Sequence, residues 1–403
     1  MDTKVYLDNL MRLPHRGSAT IEEKKAAEYL KQEYENIGLP TELQTFKTIF
    51  KGGVIEFLVP AVVLTISYLL LMSGYQSYAI AVGFIGCILY FKIPANFILL
   101  LKGFSNSYSQ NVVAKLTKPS AKKTLVIVGH YDTAMETVYM KSIGKAYNAL
   151  FKTKKQENKT SRLDSDKLPF FLKTPVILPN LGIVLLFVTL LTGYRNIGLD
   201  IFILFVCAYC ISFPLIVWRA PFVPGAFDNG VAAAMVVSLA KYFVNNRPEN
   251  INVIFLNTGC EENSVKGIND FLKKNSIEKE TTYFLNLESI GADKPVICYA
   301  ESELWTGWPM KYDKEAYKLA SDLIKEDSRF ARFEETYIPA PSDMIVVVEE
   351  GYKVITQIAS LSKKGFPEHY HQMSDVEENI DWDSVNLCFE FAKELVIKFD
   401  RNF

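Results

Sequence analysis

Histidine is scarce in this chain, four residues in 403, and basic charge is in no excess. The 44 Lys and Arg face 45 Asp and Glu, a formal net charge of -1 at pH 7. Without a global positive field to hold a phosphate backbone, nucleic acid is excluded as an expected partner. Cysteine is sparse and scattered: Cys87, Cys207, Cys210, Cys260, Cys298 and Cys388, three of them inside apolar stretches, form neither a disulfide framework nor a thiolate zinc cluster. That usage fits a reducing compartment. The first 25 residues lack an apolar core, so no secretory signal peptide is expected. Charge as a whole is thin, 22% against 49% apolar residues, which excludes a disordered chain and leaves more oil than an ordinary soluble core uses. Some of it meets lipid or fills an unusually large core. The length favours two or three domains.

The apolar excess is concentrated. Residues 57–91 hold no charged side chain, and only the polar stretch Ser73-Gly74-Tyr75-Gln76-Ser77 interrupts them. A helix rising about 1.5 Å per residue crosses about 30 Å of hydrocarbon in roughly 20 residues, so this run predicts two membrane spans joined by a turn. Residues 174–194 and 201–218 are likewise uncharged around a short polar break. Four transmembrane helices in two hairpins are expected, 54–102 and 174–218, with Pro60, Pro94, Pro175 and Pro179 near the ends of the runs where they cost little. Two hairpins return the chain to one face, so 1–53, 103–173 and 219–403 form a single polar domain. Between residues 102 and 173 stand 14 Lys/Arg against 5 Asp/Glu, whereas the hairpin tips carry only Arg195 as a base. Positive-inside bias makes this a multi-pass integral membrane protein with its polar domain in the cytoplasm. The basic run Lys152-Thr153-Lys154-Lys155 reads equally as a solvated loop or a lipid head-group contact.

The polar domain alternates strand and helix signals. Thr20-Ile21-Glu22-Glu23 resembles a capping box opening a helix to about Ile37, and residues 41–50 read as a strand. Residues 124–128, 251–256, 283–287 and 354–358 are short, apolar and β-branched, as buried strands are. Helices are expected over 230–244, 311–326 and 382–399. The predicted fold class is therefore α/β, a mixed central sheet flanked by helices, with the four transmembrane helices inserted.

Ligand-type side chains fall just beyond the ends of those strands. His130 and Asp132 follow the first, Asp228 precedes a helix, Glu261 and Glu262 follow the next strand, Glu288 the one after, and His369 and His371 the last. Open α/β sheets build their sites at such ends. Singly each cluster has an ordinary explanation, such as a solvated pair, a turn or an N-cap. Five such clusters together do not. Two imidazoles with several carboxylates and no thiolate suit a pair of divalent metals, most plausibly zinc, bridged by a carboxylate. Such a pair lowers the pKa of a water and polarises a carbonyl, and a nearby unligated carboxylate takes the proton. His15 reads as structural.

In these residues the chain resembles the M28 family of zinc aminopeptidases, and the likeness skips both hairpins. The resemblance implies two zinc ions per chain, with His130, Asp228, Glu262, Glu288 and His371 as metal ligands and Asp228 as the bridge. It implies Glu261 as the general base and Asp132 as the carboxylate that orients His130. His369 is a bystander. Two positions depart from the family pattern: Glu288 stands where an aspartate is usual, and Ser342-Asp343-Met344 resembles an SDH segment with methionine in place of histidine. The insertion between His130 and Asp228 implies an active site near the bilayer. The resulting expectation is a membrane-embedded dinuclear zinc aminopeptidase acting on peptides. The alternatives are a glutaminyl cyclase-like transferase and an inactive membrane scaffold. Side-chain preference and oligomeric state have no signal in the sequence, and Trp305 and Trp308 read equally as pocket wall or loop packing.

Overall fold

The structure, a computed structural model, describes residues 2–101, 107–136, 170–302, 309–338, 340–362 and 367–402. The basic run at 152–155 and Trp305 and Trp308 lie outside them. Contacts divide the chain into two compact units: Met1–Phe46, Tyr108–Lys167 and Phe222–Phe403 form one, and Lys47–Ser107 with Leu168–Pro221 form the other.

The first unit is built on a nine-stranded sheet. In chain order its strands are β1 (Thr41–Thr48), β2 (Ser107–Leu116), β3 (Lys123–Val128), β4 (Ile251–Asn257), β5 (Thr282–Leu287), β6 (Lys294–Ser302), β7 (Pro309–Lys311), β8 (Glu334–Ile338) and β9 (Lys353–Leu361). The spatial order is β1-β2-β4-β3-β5-β9-β6-β7, with β8 also paired to β6. The four central strands β4, β3, β5 and β9 run parallel, while β2 and β6 flank them antiparallel. In β3, Val128 is level with Leu256 of β4 and Asn286 of β5, so the C-terminal ends of these strands form one even edge.

Both faces of the centre are covered, which explains the unbroken apolar runs. Leu125, Ile127, Phe255, Leu285 and Ile355 belong to one apolar cluster, and Val126, Val128, Ile254, Leu256 and Phe284 to the other. The first face takes the helices α1 (Asp2–Leu10) and α2 (Ile21–Asn36), and three later ones: Val231–Asn245, Lys314–Glu326 and Trp382–Arg401. The second takes Lys266–Lys274 and Asp343–Glu349. The capping box of α2 forms by half. Thr20 Oγ1 accepts from Glu23 N at 3.1 Å, but the Glu23 carboxylate reaches Ala19 N rather than Thr20 N, because its other oxygen is engaged deeper in the fold.

The second unit holds the four apolar helices α3 (Gly52–Met72), α4 (Gln76–Leu101), α5 (Phe170–Thr192) and α6 (Ile197–Arg219). Leu64, Tyr68, Ala79, Leu186, Leu190 and Ile203 pack inward, and Phe84, Val184, Leu191, Ile201, Phe205 and Ile216 remain exposed. These helices are thus apolar inside and out. The two hairpins are tied together by polar bonds, Gln76 Nε2 to Leu190 O at 3.0 Å and Tyr68 OH to Asp200, whose carboxylate also takes Arg195 Nη2 at 2.8 Å. α5 and α6 approach closely at Gly182, where a Cβ would stand 2.5 Å from Val206 Cγ1. Pro60 lies inside α3, because the helix starts at Gly52, ahead of the uncharged run.

Among the described residues three helical stretches are long and apolar enough to cross a membrane: Gly52–Met72, Ile197–Arg219 and Ala226–Asn245. The third is a core element of the first unit, with Val231–Ala240 entirely buried. Of the four expected spans, α3 and α6 meet that measure. The described apolar parts of the other two, Gln76–Leu89 and Leu178–Thr192, are shorter.

Candidate metal centre

Leaving β3 at Val128, the chain places His130 two residues past the even edge, buried, with Nδ1 turned to Asp132, 3.2 Å from its carbonyl oxygen and 3.5 Å from Oδ1. The Asp132 carboxylate then holds a second element. It accepts from the backbone N–H of Glu261 at 3.0 Å and of Glu262 at 3.2 Å, and from Ser18 Oγ at 2.6 Å. One carboxylate thereby fixes a histidine ring and the two glutamates facing it.

Asp228 lies in the turn before the Val231–Asn245 helix. Its backbone N–H and that of Phe227 donate to the Asp375 carboxylate at 3.0 and 2.6 Å. Asn229 clamps the turn to β5, donating to Leu287 O at 3.0 Å and accepting from Ser289 N at 3.0 Å. Glu288 follows β5 directly, and His371 stacks on Tyr370 with ring centroids 3.9 Å apart. Cys260, Ser289 and His371 all have left-handed backbone, φ 61, 50 and 54. Such strain in residues other than glycine costs about 1–2 kcal/mol each and persists where surroundings enforce it. Here the amide of Cys260 is held by Glu23 Oε1 at 3.1 Å and that of Ser289 by Asn229.

The six side chains converge. His130 Nε2 is 3.2 Å from Glu288 Oε1 and 3.4 Å from Asp228 Oδ1, and His371 Nε2 is 3.0 Å from Asp228 Oδ2 and 3.4 Å from Glu262 Oε1. Three donor sets result among the described residues, His130-Asp228-Glu288, His130-Glu261-Glu262 and Asp228-Glu262-His371, of which the first and last share Asp228. Bonds of about 2.0–2.1 Å in a tetrahedron put ligand atoms about 3.3 Å apart, and all four spacings sit near that edge. Glu261 Oε2, at 3.9 Å from His130 Nε2, stands further off. Asp228 Oδ2, His371 Nε2 and Glu288 Oε2 are buried without a hydrogen-bond partner, a costly state for polar atoms that a bound cation relieves. The residues present therefore fit a pair of metal ions. His130 and Asp228 form the floor, while Glu261, Glu262, Glu288 and His371 keep 12–18% of their side-chain surface open, so the centre faces solvent.

Protonation follows from this crowding. Burial alone would drive the proton from His371, but Glu262 and Asp228 outweigh it and lift the imidazole to about 10. His130 is raised too, against burial, by Glu288 and Glu261. Burial lifts Glu262 to about 7 and pushes Glu261 well above the usual carboxylate range, with Glu262 and Glu288 adding to the latter. Asp228, between two histidines, is held below that range even though burial opposes it.

Several supporting residues had no reading in the sequence as parts of this site. Arg16 is completely buried and donates to the carbonyls of Tyr131, Pro224 and Gly225 at 2.7, 2.8 and 2.7 Å, stitching the β3 exit to the Asp228 turn. Glu23 and Asp375 hold backbone amides as described, and Asp343 accepts from Thr258 Oγ1. Their signal was at most a charged residue beside a motif. Met344, in the departed SDH segment, is buried in the apolar cluster on the second face of the sheet. His15 accepts from Gly17 N at 3.2 Å, and half-buried His369 pairs with Ser374 Oγ and belongs to none of the donor sets.

Residues 214–396 match the family model of Peptidase family M28. The matched segment contains Asp228, Glu261, Glu262, Glu288 and His371, and His130 reaches the centre from outside it. Among solved structures the chain is similar to a leucine aminopeptidase precursor from Bacteroides thetaiotaomicron, at 12% identity and TM-score 0.55, over 98% of this chain and 95% of that one. A Tannerella forsythia glutaminyl cyclase is similar at 12% identity and TM-score 0.54, over 98% and 97%. A Zn-dependent exopeptidase from Parabacteroides distasonis is similar at 12% and 0.51, over 100% and 97%. At such identities the likeness shows a shared α/β fold with a mixed central sheet flanked by helices. No curated protein matches the chain in sequence.

Proposed function

We propose that this protein is a membrane-embedded dinuclear zinc aminopeptidase of the M28 family. The observation that carries the reading is the pair of donor sets sharing Asp228, with Glu261 just outside both. His130, Asp228 and Glu288 would hold one ion, and Asp228, Glu262 and His371 the other. Bound there, zinc supplies Lewis acidity toward a water and a substrate carbonyl. Glu261 takes the proton of the attacking water and returns it to the leaving amine. Its backbone is fixed for this by Asp132, which also presents His130 in one orientation. Open carboxylates of the centre receive the free amine of the peptide.

The peptidase domain comprises residues 1–53, 103–173 and 219–403, and the hairpins 54–102 and 174–218 anchor it in the bilayer. The two hydrogen-bonded hairpins with outward apolar side chains support the anchoring. The charge bias of the connecting segments supports a cytoplasmic catalytic face. A second reading, glutaminyl cyclase-like transfer, draws on the cyclases among the similar folds. Assaying release of an N-terminal residue beside cyclisation of an N-terminal glutamine peptide, on one zinc-loaded sample, decides between them. Hydrolysis without cyclisation supports the aminopeptidase, and cyclisation alone overturns it.

A further inference from the structure

Four successive backbone amides at the exit of β4 are each received by a side chain. Gly259 N donates to Asn111 Oδ1 at 3.2 Å, Cys260 N to Glu23 Oε1 at 3.1 Å, and Glu261 N and Glu262 N to the two oxygens of Asp132 at 3.0 and 3.2 Å. Asn111 comes from β2, Asp132 from the β3 exit and Glu23 from the first turn of α2. Asp132 already has its place beside His130, whereas Glu23 has none in the reaction.

Glu23 is fully buried, and its two oxygens serve different ends. Oε2 accepts from Ala19 N at 2.7 Å and closes the start of α2, as Thr20 Oγ1 does by accepting from Glu23 N at 3.1 Å. Oε1 does nothing for the helix. It accepts from Ser109 Oγ at 2.6 Å and from Cys260 N, at the place where β2 and the β4 exit touch: a Cβ on Gly259 would stand 2.6 Å from Ser109 Oγ. A carboxylate taken fully out of water is stabilised by the donors it receives, and two of these three lie on the side of the site.

What Oε1 holds is a conformation. Cys260, Ser264 and Val265 have left-handed backbone, φ 61, 69 and 47, a region that residues with a Cβ occupy at a cost. Val265 N donates to Glu261 O at 2.8 Å and Lys266 N to Cys260 O at 3.0 Å, so the loop is closed behind Glu261 by its own backbone. In front of it, Glu23 holds the amide of the turn itself. With φ at Cys260 relaxed to the ordinary negative range, the chain would leave β4 in another direction. The Glu261 carboxylate would then lose its place, 3.9 Å from His130 Nε2.

Resting on the reading of Glu261 as general base, we infer that Glu23 is a positioning residue of the hydrolytic reaction, which through the Cys260 amide holds the left-handed turn that aims Glu261 at the metal centre.

The test uses the full-length, zinc-loaded protein in detergent and the best substrate of an aminoacyl-coumarin panel, with kcat referred to the folded, zinc-loaded fraction. Glu23→Asp keeps the charge but, one methylene shorter, falls short of Cys260 N. Its kcat should drop about 10–100-fold, the order of loss when a reacting group is misplaced by about 1 Å, with KM within about threefold. Thr20→Ala removes the other cap of the same helix and should lower stability while leaving kcat unchanged. Glycine takes positive φ without steric cost, so in a Cys260→Gly background the further change Glu23→Asp should cost kcat less than about threefold. Hydrogen exchange of the same proteins without metal supplies a readout apart from activity. The Cys260 amide should be as protected as those of β4 in the unaltered protein, and should lose that protection in Glu23→Asp but not in Thr20→Ala. Retained kcat in a folded Glu23→Asp protein overturns the inference, and so does an equal loss in the Cys260→Gly background or in Thr20→Ala. Rapid exchange at Cys260 in the unaltered protein overturns it whether or not any variant folds. Absence of hydrolysis by the unaltered protein would instead remove the aminopeptidase reading, and the role of Glu23 with it.

Discussion

Asp228 Oδ2 stands 3.0 Å from His371 Nε2, and the two buried atoms share no hydrogen bond. On its other side the same carboxylate puts Oδ1 3.4 Å from His130 Nε2. A carboxylate that faces two imidazoles with different oxygens, one of them unpartnered, is placed to bridge two cations. The predictions below follow from that bridge and from what holds it.

Metal binding should release protons. With its proton lifted to about 10, His371 is an imidazolium at pH 7, and Glu262, at about 7, is partly protonated. A metal ligand must give those protons up, so zinc affinity should rise with pH, most steeply below about 7 and on up to about 10. Calorimetric titration of metal-free protein in buffers of different ionisation enthalpy should show net proton release at pH 7. A buffer-independent heat would contradict this protonation scheme.

Replacing Glu261 with Gln removes the proton acceptor and keeps the side chain's shape. Hydrolysis should fall by roughly 10²–10⁴-fold, the typical contribution of a general base. Zinc content should stay as in the unaltered protein, because Glu261 Oε2 stands 3.9 Å from His130 Nε2, further off than Glu288 at 3.2 Å and Asp228 at 3.4 Å. Loss of zinc in this variant would make Glu261 a ligand instead.

Asp132→Asn takes away the carboxylate that orients His130 and holds the amides of Glu261 and Glu262. Zinc affinity should weaken by about 10–100-fold, the usual cost of losing a residue that orients a metal ligand. Chelator competition measures it. Unchanged affinity alongside reduced turnover would confine Asp132 to placing Glu261.

Much of this site was legible because parallel strands buried on both faces appear as short apolar runs, and the residues that follow them fall on one edge. β3, β4, β5 and β9 each appeared that way, with His130, Glu261, Glu262, Glu288 and His371 beyond their ends, whereas Asp228 stood ahead of a helix. β2 did not, since Ser109, Gln110 and Asn111 are polar yet buried, and partners come from distant helices: Asn111 Nδ2 donates to Gly267 O at 2.8 Å, and Ser109 Oγ to Glu23 Oε1 at 2.6 Å. Nothing in a polar opening segment marks Arg16 as a buried staple. Glu23 reads as one half of a capping box, whereas its second oxygen holds Cys260 N, a partner 237 positions away.

Arg16→Leu is therefore expected to be costly. It strips three buried carbonyls of their donors, each worth about 1–3 kcal/mol when left unpaired. Denaturant unfolding of the metal-free protein should show the loss. A shift under about 1 kcal/mol would mean that these carbonyls find other partners.

Whether the six side chains hold a working metal pair is decided by the zinc content of detergent-purified protein, with hydrolysis of an aminoacyl-coumarin panel measured before and after chelation. About two zinc ions per chain, with hydrolysis that chelation abolishes and zinc restores, is the predicted result. A well-folded sample that binds no zinc, or hydrolysis that chelation leaves intact, would contradict it.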